Sequence, residues 1–159
     1  MRLLVCGSRH WSRYERVAEE IEALAPSLIM HGGAHGADEC ADDWAARPGG
    51  NFPCLLFRAD WEREDKAAGP LRNARMLRDG KPDRGLAFGP LWKRDARMND
   101  PEAPAASWKG ARSGGWKRTG TGDMVSKLLA AGLPVRWVAS PDALAVDLTE
   151  MPGQPEARR

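Results

Sequence analysis

The sequence predicts an α/β fold with a parallel sheet of about five strands and helices on both faces, and three observations carry that prediction. Short apolar runs alternate along the chain with segments of helical periodicity. The runs are continuously apolar, as strands covered on both faces are. Glycine-rich stretches fall directly after the runs, where a strand must turn back into a crossover helix.

The first run covers residues 2–6 and ends at Gly7. Ser12 and Glu15, three residues apart, have the form of a capping box, and Val17, Ile21 and Leu24 give the following helix its apolar stripe. Pro26 closes that helix before the run Leu28-Ile29-Met30. Gly32, Gly33 and Gly36 then lead into Ala37, Cys40, Ala41, Trp44 and Ala45 at helical spacing, which breaks at Pro48-Gly49-Gly50. Residues 52–57 form a third strand interrupted by Pro53. Asp60 is positioned to cap a short helix, Gly69 separates it from the next, and Pro70 stands as first residue of that next helix. Residues 85–88 make a fourth strand. A helix from Thr121 carries Met124, Val125, Leu128 and Leu129 to Gly132, and residues 135–138 complete the set. Such a parallel sheet is Rossmann-like, and its ligands sit outside the carboxyl ends of the strands where strand order reverses.

A chain of 159 residues closes one core, taken as a single domain over 1–150 with a flexible tail over 151–159. With 29% charged and 42% apolar residues and a net charge of +2, the composition is that of a globular protein, neither disordered nor broadly basic. No apolar run approaches the roughly 20 residues that span a bilayer, and the start reads as a strand, so a cytoplasmic protein without membrane contact is expected. Cys6, Cys40 and Cys54 stand apart in apolar surroundings with no Cys-x-x-Cys or paired His spacing, which predicts buried reduced thiols and no metal.

Between Phe88 and Gly120 no helical or strand period survives, and the segment is predicted as a long basic loop insertion over 89–119. It holds seven basic and three acidic residues, a net +4 against −2 for the rest of the chain. Loops of this length are usually functional or disordered. Trp92, Trp108 and Trp116 among the cations give it three readings: a lid, a contact for single-stranded nucleic acid, or structure packed on the domain.

Four segments converge on the expected sheet edge. In Gly7-Ser8-Arg9 the glycine permits a sharp turn while Ser8 and Arg9 donate to a phosphate. In His31-Gly32-Gly33-Ala34-His35-Gly36-Ala37-Asp38, three glycines within five positions aim backbone amides at an anion, with Asp38 read as a helix cap. His31 and His35 shape the loop or touch ligand, since no nucleophile or carboxylate is spaced to complete a triad. In the third segment, Lys66 to Met76, Arg72 and Asn73 are expected in the first turn after Pro70, where a cation is unfavourable unless an anion binds. The fourth, Thr119-Gly120-Thr121-Gly122-Asp123-Met124, opens the last long helix as a second phosphate cradle. Neither Gly-x-Gly-x-x-Gly after the first strand nor a Gly-Lys-Ser/Thr sequence is present.

Together these motifs resemble the YspA-like branch of the SLOG superfamily, over about residues 1–88 and 119–140. The matching residues are Val5-Cys6-Gly7-Ser8-Arg9, His31-Gly32-Gly33-Ala34 with Gly36-Ala37-Asp38, Asp60-Trp61, Gly69-Pro70-x-Arg72-Asn73-x-x-Met76, and Gly120-Thr121-x-Asp123-Met124. The resemblance implies a Rossmann-like domain that binds a nucleotide or nucleotide-derived ligand. Related phosphoribohydrolases carry Pro-Gly-Gly-x-Gly-Thr-x-x-Glu, whereas here the acidic residue comes one position early, as Asp123, and Met124 takes the glutamate's place. The DNA-processing protein DprA, which binds single-stranded DNA, has a glycine-rich turn similar to Gly32-Gly33-Ala34-His35-Gly36-Ala37-Asp38.

The expected function is binding of a phosphorylated nucleotide or derivative as sensor or carrier, through Gly7, Ser8, Arg9, His31, Gly32, Gly33, Ala34, Gly36, Lys66, Arg72, Asn73, Gly120, Thr121 and Gly122. A nucleotide-processing hydrolase is the first alternative and DprA-like binding of single-stranded nucleic acid the second. The small-molecule nucleotide is the expected partner, with the single strand and a homo-oligomer as further partner classes.

Overall fold

The computed structural model describes residues 1–94 and 116–153. Its first half runs β1 (Arg2–Gly7), α1 (Tyr14–Leu24), β2 (Leu28–His31), α2 (Ala37–Ala46), β3 (Cys54–Leu56), α3 (Trp61–Glu64), a 3-10 turn (Asp65–Ala67) and α4 (Ala68–Gly80). The second half runs β4 (Arg84–Phe88), β5 (Trp92–Arg94), β6 (Trp116–Arg118), α5 (Gly120–Ala130), β7 (Val135–Val138) and β8 (Val146–Leu148).

Six strands form one sheet in the order β3-β2-β1-β4-β7-β8. The first five in that order pair in parallel, and only β8 runs antiparallel, against β7. The predicted α/β Rossmann-like fold is thus present, with one strand more than expected. A three-residue edge strand such as Val146–Leu148 is too short to display a period, which is why the sequence hides it. Among the described residues, no helix is long and apolar enough to cross a membrane.

Alternation along β1 builds two cores from one apolar run. Leu3 and Val5 join Ile29, Val17, Ile21, Ala41 and Trp44 on the face covered by α1 and α2. Leu4 and Cys6 join Met30, Met76, Met124, Val125 and Leu128 on the face covered by α4 and α5. The chain moves outward from β1 to β3, then returns to place β4 on the other side of β1. That reversal leaves a crevice beyond the carboxyl ends of β1 and β4.

Four local expectations need correction. The capping box at Ser12 and Glu15 does not form, because Trp11 is buried against Phe88 with its indole N–H donating to the Arg13 carbonyl, and α1 starts only at Tyr14. Pro70 is the third residue of α4 and Gly69 the second, since the 3-10 turn runs directly into the helix; Arg72 and Asn73 therefore lie in its second turn. A proline there costs no intrahelical bond, as first-turn N–H groups have no partner. The basic loop insertion is partly regular: β5 and β6 form an antiparallel ribbon with Lys93 opposite Lys117. Trp92 packs against the second core and donates to the Pro152 carbonyl, so residues 151–153 are held rather than frayed. Residues 95–115, with Trp108, and residues 154–159 lie outside the described residues. The Asp60 cap is present, its carboxylate accepting from the Arg63 N–H at 3.2 Å.

Gly122 marks where α5 meets the segment after β4: a Cβ there would stand 2.1 Å from the Leu91 carbonyl oxygen. Gly122→Ala is expected to destabilise the protein by about 1–3 kcal/mol, the cost of overpacking against a backbone atom. Urea unfolding checks this, and an unchanged midpoint would show that the 89–91 segment moves aside freely.

Candidate functional site

The turns after β1 and β2 are pressed together at the carboxyl edge. Ser8 N–H donates to the Phe88 carbonyl at 2.8 Å, while the Ser8 carbonyl accepts from Trp11 and from Ala37 N–H at the start of α2. A Cβ on Gly36, whose φ is +83°, would lie 2.2 Å from that same carbonyl oxygen. Glycine is required at 36 for both φ and space. The Ser8 hydroxyl accepts from His10 N–H at 3.2 Å.

The second turn departs from the expected anion cradle. Asp38 is 3% exposed, and one of its carboxylate oxygens accepts from Gly32 N–H at 2.9 Å and Ala34 N–H at 3.3 Å. The N–H of Gly33 goes to His31 Nδ1 at 3.1 Å. The amides of Gly32, Gly33 and Ala34 are therefore spent on the chain's own side chains. Asp38 itself is two residues inside α2, whose N-cap is Gly36, so it caps the turn and not the helix end. Burial raises the Asp38 pKa, opposed by the nearby Arg72 guanidinium, by His31 and by the two N–H bonds.

Arg72 spans the turn from the opposite side, donating to the Gly32 carbonyl at 2.6 Å and to Asn73 Oδ1 at 3.0 Å. Asn73 in turn donates through Nδ2 to Asp123 at 2.9 Å, and Lys127 pairs with the same carboxylate. At the start of α5, Thr119 caps Gly122 N–H through its hydroxyl, which donates onward to the Pro90 carbonyl. Gly120 and Thr121 occupy the first two positions of the helix, where N–H groups have no intrahelical acceptor. Both residues line the crevice.

The crevice has two lobes. An inner lobe of about 530 Å³ lies over Cys6, Ser8, Asp38, Met76 and Thr121. An outer lobe of about 890 Å³ is lined by Gly32, Arg58, Trp61, Lys66 and Arg118, among others. Arg9, Ala34, Arg72, Asn73, Lys93, Thr119 and Gly120 border both. Of the sequence-derived residues, Gly7, Ser8, Arg9, Gly32, Gly33, Ala34, Lys66, Arg72, Asn73, Gly120 and Thr121 line the crevice. His31, Gly36 and Gly122 do not, being turned toward Asp42, the Ser8 carbonyl and the Leu91 carbonyl. Arg58, Lys93 and Arg118 were not singled out from sequence, because the turn after β3 and the ribbon reach the crevice only through the fold. Trp61 stood out as half of Asp60-Trp61; its ring is 61% exposed.

Behind the turn, His31 Nε2, Asp42 Oδ1 and Cys54 Sγ lie within 4.8 Å of one another. The Gly33 N–H bond to Nδ1 leaves the ring proton on Nε2, which donates to Asp42 at 3.3 Å. A metal ion at Nε2 would move that proton to Nδ1 and break both bonds, since the Gly33 N–H can only donate. Burial, then Asp42, pushes the Cys54 thiol up to about 11, away from the thiolate a metal prefers. Cys6 is pushed up likewise; all three cysteines are free thiols, but only Cys6 is buried as expected, Cys40 and Cys54 being partly exposed.

A test of the Asp38 environment follows from its sign. Because its folded pKa lies above the unfolded value, the native state binds the extra proton between the two, and stability from this group falls as pH rises through that window. Asp38→Asn keeps an oxygen for both N–H groups but carries no charge. Its stability relative to wild type is expected to improve as pH rises from the normal carboxylate range toward neutrality, and a pH-independent difference in thermal melts would contradict the assignment.

The chain was compared with known proteins. The profile of the YspA, cpYpsA-related SLOG family matches residues 1–63. The Gene 61 protein of Mycobacterium phage D29 is 43% identical over 95 residues, covering 55% of this chain and 75% of that protein. No solved structure matches. Residues 1–63 contain the β1 turn, the Asp38-capped turn and Asp60-Trp61, so the match falls on half of the crevice described above. The chain belongs to the YspA, cpYpsA-related SLOG family.

Proposed function

We propose that the protein binds a phosphorylated nucleotide or nucleotide-derived ligand in the two-lobed crevice, acting as a sensor or carrier. Family membership supports nucleotide-related binding or processing in general. The observation that carries the finer reading is the start of α5, where among the described residues the N–H groups of Gly120 and Thr121 meet no acceptor, beside Arg9 and Lys93. An exposed helix start with a positive dipole end and two flexible cations is suited to a phosphate.

The carboxylates favour binding over hydrolysis. Asp123 is held by Asn73 and Lys127 at once, and Asp38 is buried beneath the turn it caps. Each has its acceptor capacity directed at neighbouring side chains or amides, which positions the walls of the crevice rather than activating water.

Calorimetric titration tests the reading. Ribonucleoside 5′-phosphates are expected to bind, and their parent nucleosides to bind at least about tenfold more weakly, for want of the charge-assisted contacts. Arg9→Ala, at an exposed position, is expected to weaken phosphate-bearing ligands by about 1.5–3 kcal/mol with an unchanged melting temperature. Equal affinities for nucleosides and their phosphates would remove the phosphate from the account.

A further inference from the structure

We infer that the ligand carries two or more linked phosphates, with the phosphate chain leading from the α5 end of the inner lobe into the outer lobe. The inference rests on the nucleotide reading above and adds the class of nucleotide to it.

The charge distribution requires more than one phosphate. Besides Lys117, the outer lobe is lined by Arg9, Arg58, Lys66, Arg72, Lys93 and Arg118 against a single carboxylate, Asp123, which Lys127 already pairs. Among the described residues, Arg9, Arg58, Lys66 and Lys93 meet no carboxylate within 4.0 Å. Several cations elsewhere do, such as Arg75 with Glu64 at 3.1 Å and Arg16 with Glu20 at 2.9 Å. The chain as a whole has a net charge of only +2, so a crevice lined by this many cations and one carboxylate stands out from the rest of the chain. Cations that share a crevice without counter-charges repel one another, and a bound polyanion relieves that cost.

Geometry gives the direction. A phosphate at the start of α5 stands where the lobes meet, since Gly120 borders both and Thr121 the inner lobe. Arg58, Lys66 and Arg118 border the outer lobe alone, so a phosphomonoester of about −1.5 to −2 charge seated at the junction leaves them unanswered. Each lobe by itself falls in the range of about 300–1,000 Å³ usual for a small ligand. The joined crevice accepts a longer molecule. Trp61, exposed at the outer end with its ring 3.7 Å from where a Gly69 Cβ would stand, offers a stacking face for a base or second ring.

Equilibrium binding of the mono-, di- and triphosphates of the four ribonucleosides, at low and at raised NaCl, tests this. For the base bound best, the diphosphate is expected to bind about tenfold or more tightly than the monophosphate, with the advantage shrinking as salt rises. In Arg58→Gln/Lys66→Gln the ratio of diphosphate to monophosphate affinity is expected to fall toward one. Equal binding of mono-, di- and triphosphates overturns the inference while the nucleotide reading stands. Failure of the whole panel to bind removes both, and an oligonucleotide that outcompetes every mononucleotide overturns the inference in favour of a nucleic acid.

Discussion

The carboxylate of Asp38 is the point on which the crevice depends. Placed beneath the turn that follows β2, it gathers the N–H groups of Gly32 and Ala34 on one oxygen, and the Arg72 guanidinium closes the turn by taking the Gly32 carbonyl. A buried carboxylate is costly, and here the cost is offset in part by hydrogen bonds and a neighbouring cation. The consequence reaches across the sheet. Because α2 starts at a fixed place, Ala37 N–H meets the Ser8 carbonyl, and the β1 turn is held in contact with the β2 turn.

Asp38 also decides which helix start is free to meet an anion. Of the helices that open at the carboxyl edge, α2 and α5 follow the glycine-rich sequences that favour phosphate. Before α2 the amides of Gly32, Gly33 and Ala34 are already satisfied by Asp38 and His31, and Ala37 N–H by the Ser8 carbonyl. At α5 Thr119 satisfies Gly122 N–H only, leaving Gly120 and Thr121. On the proposed reading, a ligand's phosphate meets the start of α5 rather than the Gly32 to Ala34 amides, which already hold Asp38 and His31.

The five parallel strands were legible because strands covered on both faces must be continuously apolar, and residues 2–6 and 28–30 show this plainly. The convergence of the Ser8, Gly32, Arg72 and Gly120 segments was legible too, since each follows a strand or opens a helix in a sheet that puts such turns at one edge. The direction of the Gly32 and Ala34 amides was not. It depends on whether a side chain four to six residues ahead competes for them, and Asp38 could equally have capped α2. The ribbon was hidden because three-residue strands on either side of a long insertion show no period, and their pairing is non-local. Arg58 and Arg118 carried no motif; only the topology brings them to the same lobe.

The central claim is that a phosphate seats on α5 and not on the turn after β2. Backbone amide resonances report this directly when a ribonucleoside 5′-diphosphate is titrated into the labelled protein. The account predicts saturable downfield shifts largest at Gly120 and Thr121, with Gly32 and Ala34 keeping the signature of amides bonded to Asp38. Shifts concentrated at Gly32 to Ala34, with Gly120 and Thr121 unmoved, would contradict it.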